Sequence, residues 1–306
     1  MSMRVTTQMV DNTSVATIDN DLTAMQSTEE QLASGYKINQ PSDDPVGAAL
    51  SISLSGEISA LGAYSQNVNQ GTAWMNTASQ ALQSIAQVTQ SVQGLAVEAA
   101  NGTMNAADTS DAAQQVLADI GEIKSTADAQ YDGSYIFSGS DVQSQPWGPQ
   151  ATAADPSGQD AYAGNGDAIT YAIAPGTQVQ VSSNLYQVLG SGNTGGLAAS
   201  ASNGGGALQT DGSGGLLATL RTIYNDLTGT NGGTQSDLGN QLTNLQTNMS
   251  SLEALQATVG TTQDRLQLAS SQLTQLSTTD QTQLANVEDA DMATETTLYS
   301  TQQASY

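Results

Sequence analysis

Apolar residues recur every three and four positions near both ends of this chain, and that pattern limits what the chain can fold into. Near the N-terminus Val15, Ile18, Leu22, Met25 and Leu32 follow steps of three, four, three and seven, with Glu29 in the skipped slot. This is a heptad seam, a stripe too narrow to bury itself, so it demands a partner helix. In the C-terminal third Leu238, Leu242, Leu245, Met249 and Leu252 alternate steps of four and three. Val259, Leu266 and Leu273 hold the same frame, with Gln256, Gln263 and Ser270 interrupting it. The pattern predicts a helix that continues through Leu284 and Val287 to the end of the sequence. Seams at both ends want partners, so the two ends are expected side by side, with the intervening chain at the far end of a helical rod.

Between the first seam and the next lies "LASGYKINQPSDDPVGAAL", residues 32–50. Gly35 suits the left-handed position just past a helix end. Ile38 is the single aliphatic residue of the linker and reads as its anchor. Pro41 drives Gln40 out of the helical region. Asp43 is a turn residue, Asp44 is a good N-cap, and Pro45 fits the first helical position, where its missing N–H costs nothing. The linker is a stop, an extended spacer and a restart, too long for a tight helical hairpin. It reads as a joint between two rod segments.

The helix that restarts is expected from Val46 to about Ala100. Leu54, Leu61, Val68, Met75, Leu82 and Ile85 form its core stripe, extended by Ile58, Ala78, Val92 and Leu95. Gly56, Gly62, Gly71 and Gly94 weaken it locally. "NGTMNAADTSD" at 101–111 reads as a turn with cap candidates, and Ala113, Val116, Ile120, Ile123 and Ala127 line a third helix. From residue 131 the texture turns to β-formers, with "AITYAIA", "TQVQVSS" and "NLYQVLG" as candidate strands. Residues 189–215 are rich in Gly and Ser and read as a surface loop, followed by a short helix at about 216–228. The expected fold is mainly α with a small β insert: an elongated antiparallel helical rod carrying one β-rich outer domain. Its expected parts are an N-terminal coiled-coil segment (1–40), the N-terminal rod (41–137), the β-rich domain (138–205), the C-terminal rod (206–285) and a C-terminal coiled-coil segment (286–306).

Composition removes most chemistry. The 306 residues include no Cys and no His, so there is no thiolate, no disulfide and no imidazole base or ligand. Five Lys and Arg face 29 Asp and Glu, a net charge of −24. Such a chain lacks the basic footprint nucleic acid requires, and an anionic membrane surface repels it. No apolar run nears the roughly 20 residues of a membrane span, and the N-terminus has no apolar core of a cleavable signal. The Gly-rich loop has no Lys and no phosphate-binding signature. "YAGNGDAIT" at 162–170 resembles a single turn of a calcium β-roll, chemistry that needs stacked copies, so an ordinary turn is the better reading. Glu288, Asp289, Asp291 and Glu295 spread over more than one helix face and read as a solvated or interfacial stretch rather than a cation site. Asp43 and Asp44 are explained by capping before acid–base chemistry. No catalytic residue, metal site, cofactor or enzymatic activity is expected.

Several motifs in order resemble the bacterial flagellin family. "MRVTTQM" at 3–9 is similar to its N-terminal start, and the linker at 32–49 to the connection between its terminal and next helical domains. "YIFSGS" at 135–140, "VGTTQDRLQ" at 259–267 and "LANVEDADMATE" at 284–295 resemble the approach to the outer domain, the C-terminal helix motif and the joint back into the terminal domain. Within the family, "MRVTT", "PSDDP" and the short β domain after "YIFSGS" are closer to the hook–filament junction branch than to filament flagellin. The resemblance implies a structural adaptor exported through the flagellar type III channel without a cleaved signal. Its implied partners are other copies of itself in a ring, the hook-side junction protein, flagellin or the filament cap, and an export chaperone, with no nucleic acid and no membrane insertion. The assembly seam would be Val15, Ile18, Leu22, Met25, Leu32, Leu284 and Val287. The linker would be a spoke, its exit angle set by Pro41, Asp43, Asp44 and Pro45, and Asp289 and Asp291 would belong to the joint back into the terminal domain. Family members run on further after "EDAD" than this sequence does, so an incomplete terminal coiled coil is expected. A minor filament flagellin, or a secreted module binding through exposed Tyr162, Tyr171 or Tyr186, are the alternatives.

Overall fold

The computed structural model describes residues 7–102, 104–147, 162–183, 185–190, 215–229 and 233–305. The chain is mainly α with a small β insert. In order come α1 (Thr7–Ser34), α2 (Pro45–Ala100), α3 (Ala106–Ala127), β1 (Gln130–Tyr131), β2 (Ser134–Tyr135), β3 (Thr170–Ala174), β4 (Thr177–Gln180), α4 (Tyr186–Leu189) and α5 (Gly215–Thr228). A 3-10 turn (Gln235–Asp237), α6 (Leu238–Glu288) and α7 (Met292–Ser305) complete it. Two compact units form. One holds residues up to Tyr64 with those from Gln272 onward, and the other holds Ser65–Ser271.

In the second unit, the α6 seam is buried at seven-residue intervals: Leu238, Leu245, Leu252, Val259 and Leu266. Leu242 and Met249, the alternate positions, are half-buried. A strict seven-residue repeat is the frame of a helix that follows a partner with slight left-handed supercoiling. On α2 the buried stripe is broader here. Val68, Trp74, Met75, Ala78, Ala81, Leu82, Ile85, Val92, Ala96 and Ala99 are all buried. A helix that buries adjacent positions such as Trp74–Met75 and Ala81–Leu82 has neighbours on more than one side. Burying each large aliphatic side chain is worth about 1.5–3 kcal/mol. Gln256 Nε2 donates to the Leu82 carbonyl at 3.1 Å, and Gln263 Nε2 to Asn76 Oδ1 at 2.9 Å. The polar interruptions of the α6 seam thus fix register against α2. The glycines do not break α2; at Gly71 a Cβ would press on Tyr171, Val181 and Leu266, so close packing explains that one. By length and composition alone α2 could cross a membrane, yet Leu54, Leu61, Val68, Met75, Leu82, Ile85 and Val92 along it are buried against the chain.

The turn expected at 101–111 ends earlier than its composition suggests. Asn105 Oδ1 accepts from Ala107 N and Asp108 N at 2.8 and 3.1 Å, while Asp108 Oδ2 accepts from Asn105 N at 3.2 Å. This reciprocal capping box starts α3 at Ala106. Helices α3 and α5 then pack on each other. Buried Asn248 donates to Thr219 Oγ1 at 3.0 Å, tying α6 to α5.

The β content is two short antiparallel hairpins, β1–β2 and β3–β4. Two of the three expected strands pair as β3 and β4; the third, "NLYQVLG", is a correction. Its residues Tyr186–Leu189 form α4, with Val188 and Leu189 buried, and α4 packs on α5. Docking against a helix overrides the β propensity of its side chains. The segment "YIFSGS", which begins in β2, is clasped by "YAGNGD". Asn165 N donates to Ser138 O at 3.0 Å, and Ser140 N donates to Asn165 Oδ1 at 2.8 Å. Tyr162 Oη lies 2.8 Å from Phe137 O and 2.9 Å from Asn165 O. Its ring contacts Trp147 and stacks on Tyr186, with centroids 5.1 and 5.0 Å apart. Burial pushes the Tyr162 phenol well above its ordinary range. The Gly/Ser-rich loop read at 189–215 falls almost wholly outside the described residues.

Candidate assembly joint

The terminal unit contains a break in each strand of its helical pair, and the two breaks meet. The first is the linker read in the sequence. Gly35 takes φ +76°, and its N–H returns to Gln31 O at 2.8 Å, which closes α1 as a left-handed cap does. Asp43 Oδ2 accepts from Asn39 N and Gln40 N at 3.0 and 2.8 Å, folding the spacer on itself. Asp44 Oδ1 accepts from Val46 N and Gly47 N at 3.1 and 3.0 Å. It caps α2, with Pro45 as the first helical residue. Pro41 lies in the exposed turn just before, and Ile38 is half-buried.

The second break corrects the sequence expectation of one helix to the chain's end. Helix α6 stops at Glu288 and α7 begins at Met292. Asp291 makes the restart. Its Oδ1 accepts from Ala293 N and Thr294 N at 3.0 and 3.3 Å, and its Oδ2 from Thr294 Oγ1 at 3.0 Å. Those bonds, the Thr294 hydroxyl first, hold the exposed Asp291 carboxyl below the usual carboxylate range. Asp289 is exposed and closes α6 through its N–H to Ala285 O at 2.8 Å.

Main chain joins the two breaks. Tyr36 and Asp289 form an antiparallel bridge. Lys37 N donates to Glu288 O at 2.5 Å, and Ala290 N donates to Gly35 O at 3.0 Å. The buried Ser51 hydroxyl, from α2, meets the Glu288 carboxylate. Glu288 and Asp291 are thus occupied by Ser51 and a helix start. Among the described residues no three His, Cys, Asp or Glu side chains gather as a cation site would need.

Beyond the joint α1 packs against α7. On α1, Leu22, Met25 and Leu32 are half-buried and Thr28 is buried, whereas Val15 and Ile18 remain 59% and 51% exposed. Leu284 and Val287 are half-buried on the last turns of α6, ahead of the break rather than on α7. Leu54, Leu61 and Leu273 are buried in this unit. Here α2 buries a stripe one residue wide, consistent with a single neighbour. Sequence reasoning missed Tyr36, Gly47 and Ser51, and read Glu288 only as part of a solvated or interfacial acidic stretch. Only Gly47 carried a local signal, as a glycine at the third helical position behind a capping Asp.

A Cβ on Gly47 would stand 2.6 Å from Asp44 Oδ2 and 2.6 Å from Ile38 Cδ1. Gly47→Val is therefore expected to dislodge the α2 cap and the linker's one aliphatic anchor together. Overpacking of this kind costs about 1–3 kcal/mol. Hydrogen exchange should show it as roughly tenfold or greater loss of protection at Val46 and Ala48; unchanged protection would mean that Asp44 and Ile38 move aside freely.

Paired terminal helices with stapled breaks, two long seam-bearing helices and a small β insert are the features that characterise the described chain. Residues 5–141 match the family model of the bacterial flagellin N-terminal helical region, and residues 242–305 that of the C-terminal helical region. The chain belongs to the bacterial flagellin family. It is 28% identical over 141 residues to the B-type flagellin of Pseudomonas aeruginosa, a match covering 46% of this chain and 29% of that protein. The chain thus spans less than a third of that relative's length. Its fold is similar to that of a proposed flagellar hook-associated protein of Vibrio parahaemolyticus, with TM-score 0.66, 16% identity, and coverage of 81% of this chain and 100% of that one. It is also similar to flagellar hook-associated protein 3 of Legionella pneumophila, with TM-score 0.60, 14% identity, and coverage of 76% and 98%. At these identities the likeness is one of fold.

Proposed function

We propose that the chain is the structural adaptor at the hook–filament junction of the bacterial flagellum. The observation that carries this reading is the fold likeness to hook-associated protein 3, which extends over 98% of that chain. The "MRVTT" start, "PSDDP" linker and short β insert after "YIFSGS" point the same way. The adaptor would form a ring with copies of itself, between the hook-side junction protein and the flagellin or filament cap. An export chaperone would accompany it, and it would reach the exterior through the flagellar export channel without a cleaved signal. Docking would run through the terminal seams Val15, Ile18, Leu22, Met25, Leu32, Leu284 and Val287. Gly35, Ile38, Pro41, Asp43, Asp44, Pro45, Asp289 and Asp291 would set the joint between terminal helices and rod. Leu54, Leu61, Val68, Met75, Leu82, Ile85, Leu238, Leu242, Leu245, Met249, Leu252, Val259 and Leu266 would be the rod's core.

A filament flagellin is the second reading, favoured by the identity to B-type flagellin over the N-terminal half. Of the tyrosines that a binding module would need exposed, Tyr162 is 8% exposed, in contact with Trp147 and stacked on Tyr186, while Tyr171 and Tyr186 are half-buried. Electron microscopy of cells lacking the gene separates the readings. Bare hooks without filaments are expected, and normal filaments would reject the junction role.

A further inference from the structure

Two carboxyls are buried inside the second unit. Asp119 on α3 and Asp226 on α5 are each 4% exposed, and these two helices pack on each other. Gln115 Nε2 donates to Asp119 Oδ1 at 2.8 Å, but the buried Asp119 Oδ2 accepts no hydrogen bond. Asp226 Oδ2 is buried and unpartnered in the same way. An ionised carboxyl can only accept, so each empty oxygen carries an uncompensated desolvation cost that protonation relieves.

The surroundings do not offset that cost. Burial chiefly raises both carboxyls above their ordinary range. Glu122, exposed on α3, adds to the rise at Asp119, where only Gln115 opposes it. Asp237 of the 3-10 turn adds to the rise at Asp226, where a backbone bond from Thr234 opposes it. Of the other charged or titratable groups on the packed elements, buried Lys124 acts on Asp128 at the end of α3. Arg221 on α5 is half-buried, as is Tyr186 on α4, and Tyr224 on α5 is buried; Asp108 and Asp111 on α3, Glu98 on α2 and Glu253 on α6 are exposed. The joint is built the other way. The Asp291 cap accepts three hydrogen bonds and works as a carboxylate.

We infer that acid acts with opposite sign on the two units: it firms the α3–α5 pair through Asp119 and Asp226, and it loosens the return joint through the Asp291 cap. Raised carboxyls contribute stability that is complete below the unfolded value of about 3.9 and is lost as pH rises through the folded value. The lowered Asp291 contributes stability present above about 3.9 and lost as pH falls through its folded value.

The test uses the full chain. Trp74 and Trp147 both lie in the second unit, so their emission follows its urea unfolding at a series of pH values from neutral to acid. The double variant Asp119→Asn/Asp226→Asn should unfold at higher urea than wild type at pH 7, and the two curves should merge in acid. Parallel pH profiles for wild type and variant would overturn the firming half, whatever the variant's stability. Hydrogen exchange at Ala293 and Thr294, corrected for intrinsic rates, reads the joint. Wild type should lose protection in acid and Asp291→Asn, which keeps a capping oxygen, should not. Acid-insensitive protection in wild type, or an equal loss in Asp291→Asn, would overturn the loosening half.

Discussion

Gly139→Ala should lower the unfolding midpoint of the second unit more than any surface substitution near it. Gly139 takes φ +71°, and a Cβ there would overlap both the backbone carbonyl and the side-chain oxygen of Asn165. Asn165 cannot retreat, because its N–H is bonded to Ser138 and its Oδ1 to Ser140 N. Left-handed backbone costs a non-glycine residue about 1–2 kcal/mol, and overpacking adds about 1–3. Gly133→Ala is the control: its φ is +74°, yet nothing lies within 4 Å of a Cβ there. Thermal unfolding followed by tryptophan emission should show Gly139→Ala losing several kcal/mol and Gly133→Ala only the backbone part. Equal losses would mean that the clasp between "YIFSGS" and "YAGNGD" gives way without penalty.

The second large effect is on assembly. Leu32 sits half-buried on the last turn of α1, which packs against α7. Leu32→Asp places a carboxylate in that seam, where an unpaired charge costs several kcal/mol as burial deepens. Leu22→Asp does the same about three turns earlier. Either variant is expected to fail to join the assembly while tryptophan emission stays at its wild-type maximum, since both tryptophans lie in the other unit. Normal incorporation of both variants would remove α1 from the docking scheme.

The sequence made the long helices legible because their seams are regular. Leu238, Leu245, Leu252, Val259 and Leu266 keep one frame, and one face of a helix is the only local structure that uses it. The first break was equally readable, since Gly35, Pro41, Asp44 and Pro45 each act on their own neighbours. The second break was hidden from periodicity and legible only through the resemblance of "LANVEDADMATE" to a joint. Leu284 and Val287 continue the apolar frame to its edge, and the restart depends on one capping side chain, Asp291, without a proline or glycine beside it. The meeting of the two breaks could not be read locally at all, because Tyr36 pairs with Asp289 through main chain that any residue carries. "NLYQVLG" failed for a related reason: four residues are too few for a period to appear, and α5 decides their form.

The main-chain staple also orders events in time. Ser51 and Glu288 are 237 positions apart, and the Tyr36–Asp289 bridge spans a similar stretch. Local helices form in microseconds, but closing so distant a contact waits for both segments to exist and to find each other. The α3–α5 pair needs no such partner from the chain's far side. The α3–α5 pair can therefore pack while the terminal joint is still open, whereas α2 and α6, tied through Gln256–Leu82 and Gln263–Asn76, wait for distant segments as the joint does. Sealing of the joint is thus expected among the late steps of folding, and until it happens Leu22 and Leu32 stand open to a second protein.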